Sequence, residues 1–168
     1  MNTWIEPVYN RTLTDIQTAR NLTQKILTEG WSTLTAEEQT FYLGDMIGTL
    51  NPITLNRIEN NTEYIKQYLE SLGFYEWGDT YKKNWSYSDL PITSDFERIL
   101  RNLDHAVDMH YPVDSSLPSN LNAPAYDEIN MIEKLLQELK DMYETIPKSY
   151  KYCGTFNSDQ LIVLPQRS

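Results

Sequence analysis

Apolar residues recur every third or fourth position along about five stretches of this chain, and polar residues fill the positions between them. This spacing places the apolar side chains on one face of a helix, so each stretch predicts an amphipathic α-helix. The predicted helices begin near Thr14, Thr35, Asn51, Thr93 and Pro124. The pattern predicts a mainly α fold, an irregular bundle of about five helices with a small C-terminal β-hairpin.

Residue types that cap helices mark several of the expected boundaries. The Thr-x-x-Glu sequence at Thr35 is a capping box, and Asn51 followed by Pro52 combines an N-cap with a proline in the first turn. Gly30 and Gly73 follow two of the apolar stripes, where glycine commonly ends a helix. The first helix is therefore expected to end at Gly30, the second near residue 46 and the third at Gly73.

Three segments do not follow a helical period. We expect residues 1–13 to form an extended N-terminal arm and residues 74–93 to form a connection rich in aromatic side chains, with a small hairpin within it. Pro147 is expected to end the last helix, and residues 148–168 alternate in a way that predicts a β tail. We treat residues 1–168 as a single helical domain.

The β tail is expected to hold two short strands. Tyr150 to Cys153 and Leu161 to Leu164 are the two apolar runs, and Asn157-Ser158-Asp159 between them are typical turn residues. This pattern predicts the hairpin.

Charge and hydropathy disfavour several classes of partner. The formal net charge is −10, which disfavours contact with nucleic acid phosphates and with anionic lipid headgroups. No apolar run is long enough for a membrane span, and residues 1–10 lack the pattern of a signal peptide. Cys153 is the single cysteine, so an intrachain disulfide is excluded. We therefore expect neither a nucleic acid nor a membrane as a partner.

The sequence offers no constellation typical of catalysis or of a cofactor. His105 and His110 are five positions apart, which puts them on different helix faces, and neither has further ligands at a metal-binding spacing. Cys153 falls in a predicted strand, where a small buried role is common, and glycine-rich phosphate motifs are absent. We therefore predict no catalytic residues, no metal, no cofactor and no enzymatic activity.

Three predicted helices share a pattern centred on Ile58, Ile99 and Ile132. Polar residues next to the first two isoleucines, or three positions after them, lie at the edge of the apolar face. They are Arg57, Asn61, Arg98 and Asn102. One interpretation is that the two asparagines bond across helices or to a loop backbone and thereby fix the helix register. The other is that amphipathic helices resemble one another by chance.

Large aromatic side chains outside the helices are the candidates for contact with a partner or a ligand. They are Trp4, Trp77, Tyr81, Trp85 and Tyr87. Such side chains can anchor a loop on a helical core, serve as the centre of a protein interface, or stack on a sugar ring. The sequence leaves these three interpretations open.

The order of several motifs along the chain resembles a group of known proteins. Trp4-x-x-Pro7 is followed by Arg11-Thr12-x-x-Asp15, and then by the run from Leu55 to Asn61, which reads Leu-Asn-Arg-Ile-Glu-Asn-Asn. Tyr152-Cys153-Gly154 ends the series. In this order they resemble phage and prophage structural proteins of Gram-positive hosts, except that Asn10 stands where those proteins usually have an aspartate.

The resemblance implies a non-enzymatic structural component of a virion, from the tail, baseplate or an appendage. Such a protein is assembled in the host cytoplasm, forms homo-oligomers and contacts other virion structural proteins. The expected contact surfaces are the arm, the aromatic connection and the β tail. The first alternative is a carbohydrate-binding receptor module that recognises a host cell-surface glycan. A weaker alternative is a hydrolase that acts on a cell-wall polymer.

Overall fold

Five α-helices form the frame of the computed structural model, which describes residues 1–44, 46–73, 78–108, 116–119, 121 and 124–152. In chain order they are α1 (Leu13–Glu29), α2 (Ala36–Leu43), α3 (Pro52–Ser71), α4 (Thr93–Asp108) and α5 (Tyr126–Tyr152). A short 3-10 turn, Trp31–Thr33, lies between α1 and α2. The described residues contain no β-strand, so the expectation of a mainly helical protein is confirmed.

Most caps lie where the sequence predicts them. Thr35 and Glu38 form the capping box of α2, and the side chain of Asn51 accepts a hydrogen bond from the main-chain N–H of Thr54 at the start of α3. Gly30 ends α1 with a φ of 92°, a conformation that glycine adopts at little cost. Local side-chain chemistry therefore determines where these helices begin and end.

The start of α1 and the end of α2 differ from those predicted. The N-cap of α1 is Thr12 rather than Thr14, because Asp15 lies three positions after Thr12 and completes a capping box with it. The second helix ends at Leu43, short of the expected residue 46, and the main-chain N–H of Gly44 closes its last turn.

The C-terminal expectation needs a correction. α5 continues past Pro147 to Tyr152, so the first predicted strand overlaps the end of a helix. A proline inside a helix removes one main-chain hydrogen bond, but the remaining bonds of this 27-residue helix continue around it. The second predicted strand, Leu161 to Leu164, and the turn before it lie outside the described residues.

The main hydrophobic core lies between α3, α4 and α5. α3 packs against both other helices and is buried around most of its circumference. Ile58, Ile99 and Ile132, the centres of the repeated sequence pattern, all point into this core. Trp85 and Leu121 add side chains from the connecting segments. The repeated pattern thus corresponds to three helices that share one core.

A second, smaller cluster lies between α1 and the residues that follow it. Its buried members are Ala19, Leu22, Leu34 and Met46. The turn that leads from this cluster to α3 lies close to the start of α1, because a Cβ atom added to Gly48 would lie 2.1 Å from the main-chain oxygen of Asp15. The described part of the aromatic connection, residues 78–92, contains no hairpin.

Candidate protein interaction site

The N-terminal arm runs extended across α3 and α5 and is held there by side-chain amides. Asn61 accepts a hydrogen bond from Ile5 N at 3.0 Å and donates one to Ile5 O at 2.6 Å. Asn130 likewise accepts a hydrogen bond from Arg11 N at 3.2 Å and donates one to Arg11 O at 2.9 Å. A single amide side chain offers both a donor and an acceptor, as a neighbouring β-strand would. The arm is therefore recognised through its main chain.

A buried carboxylate fixes the inner end of the arm. Glu133 is 0% exposed, and its Oε1 lies 2.9 Å from Arg57 Nη2 and 3.0 Å from Arg11 Nη2. Its Oε2 accepts a hydrogen bond from the main-chain N–H of Val8, and Arg11 Nη1 donates to the carbonyl oxygen of the same residue. Two guanidinium groups surround one carboxylate, so the negative charge of Glu133 is compensated and its contacts hold the arm to α3 and α5.

A second buried carboxylate holds the aromatic connection. Arg98 Nη2 donates to Glu59 Oε1 at 2.6 Å, and Trp85 Nε1 donates to the same oxygen at 3.1 Å. The main-chain N–H of Lys82 donates to Glu59 Oε2 at 3.0 Å. The hydrogen bond to Glu59 raises the pKa of Arg98 above its ordinary value, against the opposing effect of burial. Arg98 is therefore a permanent cation in this pair.

Asn56 binds the connection in the way that Asn61 binds the arm, and Asn102 adds a single donated bond. Asn56 accepts a hydrogen bond from Trp85 N at 2.8 Å and donates to Trp85 O at 3.0 Å. Asn102 donates to Thr80 O at 2.9 Å. The arm and residues 78–92 of the connection, which form no helix or strand, are thus held by polar side chains of the three core helices.

The four polar residues that the sequence suggested as fixing the helix register therefore lie on helix surfaces that face the arm and the connection. Asn61 and Asn102 are buried, and both bond to the backbone of an extended segment rather than to another helix. Arg57 of α3 pairs with Glu133 of α5, and Arg98 of α4 pairs with Glu59 of α3. In each pair the arginine precedes, and the glutamate follows, one of the shared isoleucines.

The two glutamates of these ion pairs and two of the asparagines that bind the segments were not predicted from the sequence. Glu59 and Glu133 each follow one of the shared isoleucines, as the Ile-Glu sequences at Ile58 and Ile132 show. The position of each glutamate beside a core isoleucine indicated a buried ion pair, because a charge next to a core position must find a partner of opposite sign. Asn56 and Asn130 have no comparable signal in the sequence.

The five aromatic candidates lie in different environments. Trp85 is 5% exposed and belongs to the core, which corresponds to the loop-anchoring interpretation. Trp4 packs against the core edge-to-face with Tyr64, at 5.4 Å between ring centroids. Tyr81 is partly buried, whereas Tyr87 is 50% exposed. Trp77 lies outside the described residues.

Tyr87 joins a group of side chains that we call the aromatic cluster: the exposed Trp31, Leu43 and Tyr87, and the partly buried Tyr42. The rings of Trp31 and Tyr42 meet edge-to-face at 5.5 Å, and those of Tyr42 and Tyr87 stack at 6.5 Å. Tyr87 Oη donates to the carbonyl oxygens of Tyr42 and Gly44, each at 3.2 Å. Leu43 beside them is 58% exposed. The cluster combines the hydrogen-bonded hydroxyl of Tyr87 with apolar side-chain surface that reaches solvent.

Two further titratable side chains of the described residues have partners that stabilise the fold. His105 Nδ1 lies 2.9 Å from Asp79 Oδ2, and burial raises the pKa of Tyr143 to about 12 while its hydroxyl donates to Ala106 O. Across the described residues, no group of three or more histidine, cysteine or acidic side chains is placed to hold a metal ion. Within the same residues, no helix has the length and apolar character needed to cross a membrane.

Comparison of the chain with protein-family models, with curated proteins and with solved structures finds no match. The functional interpretation therefore depends on the geometry above and on the motif resemblance.

Proposed function

We propose that this protein is a non-enzymatic structural component of a phage particle, from the tail, baseplate or an appendage, and that it functions by binding other proteins. The observation that carries the proposal is the aromatic cluster. Tyr and Trp side chains with restrained rings and exposed apolar faces are the residues that dominate protein interfaces. The order of motifs shared with virion proteins of Gram-positive hosts supports the phage assignment.

The buried charges support the non-enzymatic part of the proposal. Glu59 and Glu133 are each surrounded by donors from an arginine and from the main chain of an extended segment. A catalytic carboxylate needs access to substrate, whereas these two groups are closed off by the segments they hold. Their chemistry is used to stabilise the fold.

The expected partners are other virion structural proteins and further copies of this chain. The net charge of −10 works against association of copies through long-range repulsion, so a compact apolar contact is needed to hold them together. The aromatic cluster supplies such a contact. The site of action is then the virion, after assembly in the host cytoplasm.

The first experiment tests the aromatic cluster as a binding surface. The chain is co-expressed with the products of the neighbouring genes, and complexes are measured by light scattering after affinity purification. We expect a defined complex with the unaltered chain, and at least about tenfold weaker association with the double variant Trp31→Ser, Leu43→Ser. Leu13→Ser, at the far end of α1 and also exposed, is the matched control and should bind normally.

The second experiment tests the phage assignment directly. Particles purified from the strain that carries the gene are separated from soluble proteins and probed by mass spectrometry for this chain. Its presence in the particle fraction, in a fixed ratio to other tail proteins, is the expected result. Its absence from intact particles, or turnover of a cell-wall polymer by the purified chain, would contradict the proposal.

A carbohydrate-binding role remains the alternative function, and the observation that favours it is the exposed ring of Tyr87, which stacks on the partly buried Tyr42. Trp85 is not available for stacking on a sugar, because its ring is buried and its Nε1 is bonded to Glu59. A glycan array separates the two functions. Binding that is lost in Tyr87→Ala, by a chain that forms no protein complex, would replace the proposed function with this one.

A further inference from the structure

The loop that leads into α4 presents apolar side chains to solvent. Leu90 is 86% exposed and Ile92 is 63% exposed, with Pro91 between them. Leu90 is the most exposed large apolar side chain among the residues that the structure describes. We call residues 90–92 the apolar loop. Contact with another apolar surface would remove these side chains from water, which is favourable.

Hydrogen bonds hold the apolar loop in place on both sides. Ser86 N and Ser86 Oγ donate to Asp89 Oδ2 at 2.8 Å and 2.9 Å, and Asp89 N donates to Ser86 O at 3.0 Å. On the other side, Ile92 N donates to Asp95 Oδ2 at 3.0 Å. The ring of Pro91 restricts the main chain between them. A loop that is already fixed loses little conformational freedom on binding, so this one is suited to a contact.

A groove of about 410 Å³ lies between the first half of α1, the turn at residues 48–50 and the start of α5. Ile16, Leu50 and Tyr126 contribute to its lining, and so does Arg20. Arg20 is exposed and forms no ion pair with any residue that the structure describes. We call this surface the α1–α5 groove. It combines apolar side chains with a cation that has no carboxylate partner.

The groove between α1 and α2 is different, because its charges are already paired. It is lined by Lys25 and Glu38, whose Nζ and Oε1 atoms lie 2.8 Å apart. An acidic partner would have to compete with Glu38 for this cation. The α1–α5 groove is therefore the better candidate for a partner that carries negative charge.

We propose that the α1–α5 groove binds the apolar loop of a second copy of this chain. Acidic residues flank that loop, because Asp89 precedes it and Asp95 and Glu97 follow it in the first turns of α4. Glu97 is exposed and has no ion pair among the described residues. Docking brings this acidic flank towards Arg20 while the apolar side chains of the loop and of the groove cover each other.

The charge of the whole chain makes such local complementarity important. The net charge of −10 causes long-range repulsion between copies, so a contact is favoured where opposite charges meet. The loop and the groove share no residue, so each copy offers both surfaces and the contact is between unlike patches. The inference uses neither the aromatic cluster nor the phage assignment.

Sedimentation velocity of the full chain tests the contact with two complementary variants. The loop variant carries Leu90→Ser and Ile92→Ser, and the groove variant carries Arg20→Glu and Ala125→Asp, all at exposed positions. We expect the parent chain to associate as its concentration rises, and each variant alone to associate at least about tenfold more weakly.

A mixture of the two variants provides the specific result. The groove variant keeps its apolar loop and the loop variant keeps its groove, so the mixture should form a heterodimer although neither variant associates well alone. Leu27→Ser, at an exposed position near the end of α1, is the matched control and should associate as the parent does. Circular dichroism of every variant checks that the helices are retained.

Three results would overturn the contact between loop and groove. They are a parent chain that stays monomeric at millimolar concentration, a loop variant that associates as strongly as the parent, and a mixture without heterodimer. Association that is lost in Trp31→Ser, Leu43→Ser but unchanged in the loop variant would assign the contact between copies to the aromatic cluster instead. Loss of the complex in the partner experiment, with normal association of copies, would overturn the proposed function alone.

Discussion

At the scale of single residues, the fold depends on charges that would be costly if they were left alone. Glu133 is fully enclosed and is balanced by Arg57 and Arg11, which come from a core helix and from the arm. Removing one partner from such a group leaves an uncompensated buried charge, which destabilises more than the pair itself contributes. Single substitutions at these positions should therefore have large effects.

Glu133→Gln tests this expectation. The change keeps the shape of the side chain but leaves two buried guanidinium groups without their carboxylate, so we expect a loss of about 3–5 kcal/mol in the free energy of unfolding. Urea denaturation followed by circular dichroism measures the loss. Glu138→Gln is the control, because Glu138 pairs with Lys134 on the surface of the same helix and should cost at most about 1 kcal/mol. Equal costs for the two variants would contradict the role assigned to Glu133.

At the scale of single elements, helix starts are fixed by capping boxes whose acidic members carry shifted pKa values. The hydroxyl and main-chain N–H of Thr12 lower the pKa of Asp15, and the Lys25 ammonium together with Thr35 lowers the pKa of Glu38. A carboxyl whose pKa is lower in the folded state contributes stability above its unfolded pKa. That contribution is lost as the pH falls through the folded pKa.

Asp15→Asn should therefore destabilise the protein at neutral pH and have a shrinking effect in acid. The ordinary pKa of an aspartate is 3.8, and that of Asp15 in the folded protein is lower. As the pH falls through these values, protonation of Asp15 in the parent chain removes the same charge that the substitution removes. Urea midpoints of both chains, measured at neutral pH and stepwise below 3.8, give the difference directly. Glu6→Gln, at an exposed position on the arm, is the baseline. A difference that stays constant with pH would show that Asp15 does not act through its charge.

At the scale of the whole molecule, two hydrophobic clusters are joined at a few points. Asn51 Nδ2 donates to Met46 O at 3.3 Å, and Tyr87 bonds to the end of α2. Gly48 brings the connecting turn against the first turn of α1. The relative placement of the clusters therefore depends on a main-chain approach that only glycine permits.

Gly48→Ala tests the close approach. The added Cβ would lie 2.1 Å from the carbonyl oxygen of Asp15, so the turn must move away from α1, at an expected cost of about 1–3 kcal/mol. Gly78→Ala is the matched control, because no atom lies within 4 Å of the position of its Cβ, and it should be nearly neutral. Thermal unfolding of both variants supplies the comparison. An unchanged Gly48→Ala protein would mean that the turn does not lie against α1 as described.

The five helices and most of their ends could be predicted because the information is local. Three helix boundaries depend on residues that lie within one helical turn of each other and are therefore close in the sequence. They are the capping box at Thr35, the N-cap Asn51 and the end of α1 at Gly30. The prediction that the last helix ends at Pro147 was wrong. A proline lowers helical stability, but a helix as long as α5 continues past it. The apolar stripes of α3, α4 and α5 predicted correctly which faces form the core.

The sequence by itself determined the helical class, the core faces and the polar residues that flank the shared isoleucines. Only the tertiary structure decided their partners, because Arg57 meets Glu133 at a separation of 76 residues and Asn130 meets Arg11 at a separation of 119. Helix periodicity specifies which face a side chain occupies but not which neighbour that face meets. The seating of the arm and the burial of Trp85 follow from that choice of neighbours.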